Sequence, residues 1–278
     1  MREIISTKAG VFKMKVYISA DIEGVTGVAH WNETLKDKPD YKEFQEQMTA
    51  EVLAACNGAL KAGAKEIYVK DAHDSARNLI AAKLPEQVKL IREWSLHPFC
   101  MMQELDDSFD AAIMIGYHSA AATQTSPMAH TLTDKFSSIK INARPASEFL
   151  INTYTAGLVG VPVVFVSGDK GICDEALAFN ERIWTVSVQE GVGASTVSIH
   201  PHVAAKKIEE GVEAALLKDL SRLKVKLPPG FKVKIEYRDH ISAYKASFYP
   251  GVIRLANKTI QFEAKDYFEV LRTLMFIS

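Results

Sequence analysis

Lys15-Val16-Tyr17-Ile18-Ser19-Ala20-Asp21-Ile22-Glu23-Gly24 is the stretch on which the fold turns. Its first six residues are largely β-branched or aromatic, which predicts a strand. The run then ends abruptly in two acids and a glycine. Two further segments have the same form. A strand over Glu66 to Val69 runs into Lys70-Asp71-Ala72-His73, and another over Ala111 to Ile115 runs into Gly116-Tyr117-His118.

Helices are expected between these strands. From Asp40, the residues Tyr41, Phe44, Met48, Val52, Cys56 and Leu60 recur at three- and four-residue spacing until Gly63 stops the pattern. Pro145 is expected to open another helix that runs to about Leu158, and Val161 to Val166 reads as a buried strand leading into Ser167-Gly168-Asp169. Strand, helix, strand in repetition predicts an α/β fold. It would have a mostly parallel sheet, right-handed crossover helices and a site at the carboxyl edge of the strands.

After about Gly193 the texture changes. A helix from Pro201 to Leu217 is followed by Leu227-Pro228-Pro229-Gly230, and then Val233, Ile235 and Tyr237 alternate with Lys232, Lys234 and Glu236. Alternation of that kind suits a sheet wetted on one face. The chain therefore divides into an N-terminal extension over residues 1–13, an α/β domain over 14–195 that holds these strand ends and a smaller C-terminal α+β domain over 196–278.

Composition narrows the function. The 33 basic and 34 acidic residues nearly cancel and are interspersed, which leaves no footprint for nucleic acid or an anionic membrane. Cys56, Cys100 and Cys173 are odd in number and widely spaced, as in a reducing cytoplasm. The first 13 residues lack the continuous apolar core of a signal peptide. Val159 to Val166, the longest apolar stretch, falls well short of the roughly 20 residues needed to span a membrane.

The strand ends carry the chemistry. If the backbone stays extended, Asp21 and Glu23 point to one side, and two carboxylates held close need a proton or a cation between them. Taken alone, the pair is as readily a solvated acidic turn, and His73 or His118 alone a hydrogen-bonded structural histidine. Together at one sheet edge, imidazole and carboxylate make a mixed ligand set that suits zinc, with manganese, iron or cobalt as weaker alternatives. Glu148 sits in the first turn of the helix after Arg144-Pro145. It completes such a site or simply favours the helix dipole. Arg144 either holds a substrate carboxylate or braces Glu148. His200 and His202 flank Pro201 away from the strand ends, His30 and His97 read as loop or packing histidines, and Cys173, near a helix start, has no partnered base in view.

Six segments in order, SADIEG (19–24), KDAH (70–73), GYH (116–118), MAH (128–130), NARPASE (142–148) and FEAKD (262–266), resemble the motif set of DppA-type D-aminopeptidases. The resemblance covers nearly the whole chain from Met14. It implies two zinc ions per subunit on Asp21, Glu23, His73, His118 and Glu148, and a catalytic histidine at His130. It also implies short peptide substrates with D-amino-acid N-termini such as D-Ala-D-Ala, and a ring-stacked, self-compartmentalised homodecamer. In such a site Asp21 is expected to bridge the ions, Glu23 and Glu148 to complete one of them, and His73 and His118 to favour the other or share it.

Two rivals are kept. A phosphoesterase uses similar two-metal ligands but ordinarily adds basic side chains or a glycine-rich cradle, and neither is evident. A non-catalytic peptide-binding protein of a transport system would ordinarily carry an export signal.

Overall fold

The protein is described from a computed structural model covering residues 13–278. The extension expected over residues 1–13 lies, apart from Lys13, outside these described residues. Along the chain the elements are β1 (Lys15–Ala20), α1 (Tyr41–Lys61), β2 (Glu66–Asp71), β3 (Val88–Ile91), β4 (Ala111–Tyr117), β5 (Phe136–Ile141), β6 (Arg144–Pro145), α2 (Glu148–Leu158), β7 (Val163–Asp169), α3 (Lys170–Phe179), β8 (Trp184–Val192), β9 (Ser195–Ser198), α4 (Pro201–Leu216), β10 (Phe231–Tyr237), α5 (His240–Ala246), β11 (Ile253–Ala256), β12 (Thr259–Ala264) and α6 (Tyr267–Ile277).

The described strands form two sheets. The larger runs β3-β2-β1-β4-β7-β8-β9 and is parallel except for β9 at one edge. The mostly parallel α/β architecture expected from the strand-helix alternation is therefore present. β1 and β4 lie side by side, yet β2 and β3 extend the sheet from one side of that pair and β7 and β8 from the other. The order thus reverses between β1 and β4, and a crevice opens beyond the carboxyl ends of such strands. Asp21 follows β1 and His118 follows β4, so both flank it.

Burial explains why the central strands read as continuous apolar runs. All seven residues of β4 and all seven of β7 are buried, as strands covered on both faces require. α1 presents Met48, Val52, Ala55, Cys56 and Ala59 to the core. It packs against α4 so closely that a Cβ at Gly58 would lie 2.4 Å from the carbonyl oxygen of Glu209.

The smaller sheet, β11-β12-β10-β5-β6, is antiparallel. Phe231, Val233, Ile235 and Tyr237 of β10 are buried while the residues between them are exposed, as the alternation predicts. Its strands come from both sides of the boundary expected at 195/196, because β5 pairs with β10. Helix α4, although it follows that boundary, packs on α1, β7 and β8.

One boundary differs from expectation for a clear reason. Pro145 does not open a helix. Asn142 (φ +50°) and Ala143 (φ +65°) form a two-residue turn joining β5 to β6, and two successive left-handed residues match the twist of a tight hairpin. Ser147 then caps α2, accepting a hydrogen bond from the Leu150 amide at 3.0 Å.

Glycine is obligatory where the central strands end. A Cβ at Gly24 would lie 1.8 Å from the carbonyl oxygen of Tyr117, and one at Gly168 would meet the same oxygen at 1.8 Å. The Gly24 amide instead donates to the carbonyl of Gly116 at 2.8 Å. Gly24→Ala must push β1 and β4 apart, so it is expected to cost about 3 kcal/mol of stability. A melting temperature equal to that of the parent protein would refute that close approach.

Candidate metal centre

Asp21 and Glu23 leave β1 with both side chains only 2% exposed. His73 follows β2, His118 follows β4, and Glu148 opens α2, and these three are buried as well. His130 lies in the loop between β4 and β5 and is part-buried. All six expected ligand and catalytic side chains converge on one site.

Their donor atoms fall into two groups. Asp21, Glu23 and His73 offer atoms within 4.8 Å of one another, and so do His118, His130 and Glu148. Asp21 stands between the groups. Its Oδ1 is 3.3 Å from His73 Nδ1, and its Oδ2 is 3.6 Å from His118 Nε2. Glu23 Oε2 is 3.0 Å from His73 Nδ1, and Glu148 Oε2 is 3.4 Å from His118 Nε2. Each glutamate thus sits beside a histidine. The partition expected from sequence, with the two glutamates together, is not how the atoms divide.

Every histidine in the site is oriented in the same way. His73 Nε2 is 3.0 Å from the Thr34 carbonyl, His118 Nδ1 3.1 Å from that of Ser119, and His130 Nδ1 3.0 Å from that of Met128. A carbonyl only accepts, so in each ring that nitrogen carries the proton. In a neutral imidazole the other nitrogen then holds a lone pair, and here it faces carboxylates. A lone pair opposite a carboxylate is repulsive unless a cation or proton lies between them.

Two atoms make that demand explicit. Glu23 Oε2 and His118 Nε2 are buried without a hydrogen-bond partner, and the 3.0 Å approach of Glu23 to His73 lacks hydrogen-bond alignment. At 4.8 Å, two carboxylates repel by roughly 3 kcal/mol even at an effective dielectric of about 20. A mixed nitrogen and oxygen donor set fits zinc. The residues present therefore fit the metal that the sequence implied.

Without metal, protons compensate instead. Burial raises the Asp21 carboxyl well above its ordinary range, and the neighbouring Glu23 charge adds to that. Burial works against charge at His73 and His118 too. The Glu23 and Asp21 carboxylates outweigh it at His73, and Glu148 chiefly does so at His118, so both imidazoles are raised well above their usual value. Burial opposes ionisation of Glu148 as well, but His118 outweighs it and holds the carboxyl down at about 2.

Supporting contacts fix the ligands in place. The Leu132 amide donates to Glu148 Oε1 at 2.7 Å, and Ile22 N donates to Asp21 Oδ1 at 2.8 Å. Asp71, buried at the end of β2 two residues before His73, accepts from the Asn78 and Leu79 amides, and Asn78 Nδ2 in turn donates to the His73 carbonyl at 2.7 Å. His118 and His130 stack at 4.2 Å with 10° between their planes, and Trp31 packs edge-on to His130 at 5.3 Å.

The remaining sequence candidates lie elsewhere. Arg144 is exposed, with its guanidinium 5.2 Å from the centroid of the Phe179 ring; it neither lines this cavity nor pairs with Glu148. His200 caps α4, accepting from the His202 amide, while His30 and His97 accept from amides two residues ahead. Burial pushes the Cys173 thiol up, which argues against a depressed, nucleophilic thiol there. Trp31, Asp74, Trp94 and Asp134 line the cavity and had no strand-end or spacing signal to mark them.

The cavity above these groups measures about 560 Å³. Asp74 and Asp134 add to the acids that line it, and among the described residues no lysine or arginine does.

A sequence profile of the D-aminopeptidase family matches residues 14–276. The chain is 31% identical over 267 residues to a D-aminopeptidase of Bacillus subtilis, covering 95% of this chain and 97% of that one. It also superposes with a TM-score of 0.89, at 29% identity, on the Zn-dependent D-aminopeptidase DppA from Bacillus subtilis, a self-compartmentalizing protease, covering 95% of this chain and 96% of that one.

A bridging position for Asp21 has a direct consequence. Asp21→Ala is expected to lose about two zinc ions per chain by elemental analysis, whereas loss of one alone would make Asp21 a terminal ligand. The raised histidines set the pH dependence. They hold protons at neutral pH in the metal-free protein, and zinc must displace those protons. Calorimetry in buffers of different ionisation enthalpy should therefore show proton release and an affinity that weakens as pH falls. A pH-independent affinity would contradict it.

Proposed function

This chain belongs to the D-aminopeptidase family, and from that membership and the geometry of the site we propose that it is a zinc-dependent aminopeptidase acting on short peptides with D-amino-acid N-termini. Asp21, Glu23, His73, His118 and Glu148 would hold about two zinc ions, a role supported by their two donor groups and by the approach of Asp21 to both His73 and His118. Zinc there supplies Lewis acidity to activate water and polarise the peptide carbonyl.

One observation carries the choice of substrate. The cavity is lined by Asp74 and Asp134 beyond the ligand set and, among the described residues, by no lysine or arginine. Such a surface attracts the α-ammonium group of a free peptide N-terminus and repels a phosphate ester. The phosphoesterase alternative loses its support for that reason. A merely peptide-binding role leaves the orphaned, buried Glu23 Oε2 and His118 Nε2 without a purpose.

His130 acts in catalysis beside the metals. Met128 O fixes one ring nitrogen, while Nε2 faces Glu23 and Glu148 at 3.9 and 3.7 Å in the cavity wall. From there Nε2 can take a proton from the attacking water and return it to the leaving amine.

The protein works as a homo-oligomer, which we take to be a decamer in view of the self-compartmentalizing relative. Tyr244 on α5, Phe248 just after it and Phe276 on α6 are exposed aromatics suited to a subunit interface. No helix among the described residues is long and apolar enough to cross a membrane. Three cysteines without disulfides support a cytoplasmic location.

The deciding experiment is a zinc-reconstituted assay on D-Ala-D-Ala, L-Ala-L-Ala and a chromogenic phosphate ester. Hydrolysis of the first alone, or well ahead of the others, is expected; preference for the phosphate ester would overturn the reading. His130→Ala should keep zinc content and melting temperature while turnover falls roughly 100-fold or more. Loss of an ion would instead make His130 a ligand, and near-normal turnover would exclude it from the mechanism.

A further inference from the structure

A second cavity, of about 210 Å³, adjoins the metal-site cavity and shares Trp94, Cys100 and Leu132 with it as common wall. Phe99, Ile151, Leu271, Leu274 and Met275 form much of the remainder, and among the described residues no Asp, Glu, Lys or Arg side chain lines it. Several of its polar atoms already have partners, among them His97 Nδ1, which accepts from the Phe99 amide at 3.2 Å. Asn152 Nδ2 donates to the Tyr117 hydroxyl at 2.8 Å, and Gln103 Oε1 accepts from the Ser95 amide at 3.1 Å. The acidic cavity thus opens beside a predominantly apolar one.

The shared wall is held rigidly. Fully buried Lys70 donates to the Glu93 carbonyl at 2.7 Å and lies 4.0 Å from the centroid of the Trp94 ring. Trp94 Nε1 donates to the Asp74 carbonyl at 2.7 Å. Cys100 and Leu132 both adopt left-handed backbone, with φ of +48° and +61°. Such conformations persist only where the surroundings enforce them, and they concentrate at ligand clamps. A fixed apolar recess next to a hydrolytic site discriminates between side chains by size.

We infer that this second cavity is a specificity subsite that receives an apolar side chain of the peptide bound at the metal centre, so that peptides bearing a leucine- or phenylalanine-sized residue are preferred over alanyl ones. The inference rests on the aminopeptidase reading above.

Met275 offers the test, because it lines the cavity while remaining 39% exposed on its outer side. Met275→Trp fills the recess, and Met275→Leu keeps its volume. Melting temperature and size-exclusion chromatography would confirm that both variants fold and assemble like the parent. For dipeptides with Ala, Leu or Phe in the first or second position, kcat/KM should favour the bulky residue by roughly 10-fold in one of those positions. Met275→Trp should abolish that preference and leave the alanyl peptide within about twofold of the parent, while Met275→Leu retains it. No preference in the parent protein, or equal loss on all peptides in Met275→Trp, would overturn the subsite. Binding of the same dipeptides to the metal-free protein, followed by intrinsic tryptophan fluorescence, separates the two readings. Tighter binding of bulky peptides without hydrolysis would sink the aminopeptidase and keep the subsite. Hydrolysis with no size preference in rate or binding would do the reverse.

Discussion

Three carboxylates and two imidazoles lie almost wholly out of water at one end of the large sheet, and their charges must balance there. Each group is costly to bury alone, and like charges at these distances repel by kilocalories. Because each histidine spends one nitrogen on a backbone carbonyl, the other faces the carboxylates without a hydrogen to offer unless it is protonated. The metal-free chain meets the demand with protons, and zinc meets it better by binding lone pairs from both partners. The fold therefore carries a site whose own stability depends on what occupies it.

That site exists because three strand ends can crowd together. β1, β4 and β7 are adjacent, and Tyr117 presents its carbonyl to both Gly24 and Gly168 at distances no side chain could share. Gly116, at φ +70°, turns β4 beside Asp21, where an added Cβ would lie 2.3 Å from the Asp21 carbonyl oxygen. Removing side chains from these positions lets the backbone approach, and the approach brings Asp21 within reach of His118. The reversal of strand order between β1 and β4 then opens space above them.

Much of this was legible in sequence, and the parts that were not share a cause. The strand ends at Asp21, His73 and His118 could be read because each signal is local, an apolar run breaking into a polar residue. The hairpin at Asn142-Ala143 was not, since its left-handed turn obeys the partner strand β10, which lies nearly a hundred residues away. The same distance hid the membership of β5 in the small sheet. Arg144 looked like part of the site because it stands close to Glu148 in sequence. Yet it lies on a short strand while Glu148 opens a helix, and the turn between them sends the guanidinium to Phe179. The apolar cavity draws walls from residues 94–103, 151–152 and 271–275, a combination no periodicity reveals.

The small sheet is thereby tied to the chemistry. α2 is buried along nearly its whole length, with β4 on one side and α6 on another, as befits a helix that is apolar around most of its circumference. Its first residue is Glu148. One turn later, the Ile151 carbonyl accepts from the Tyr267 hydroxyl at 2.8 Å, which pins α2 to α6. A shift of α6 thus moves both a wall of the apolar cavity and the helix that delivers a metal-site carboxylate. Through α2, the Tyr267–Ile151 contact ties the cavity wall on α6 to the helix that opens with Glu148, so the C-terminal portion bears on where that carboxylate stands.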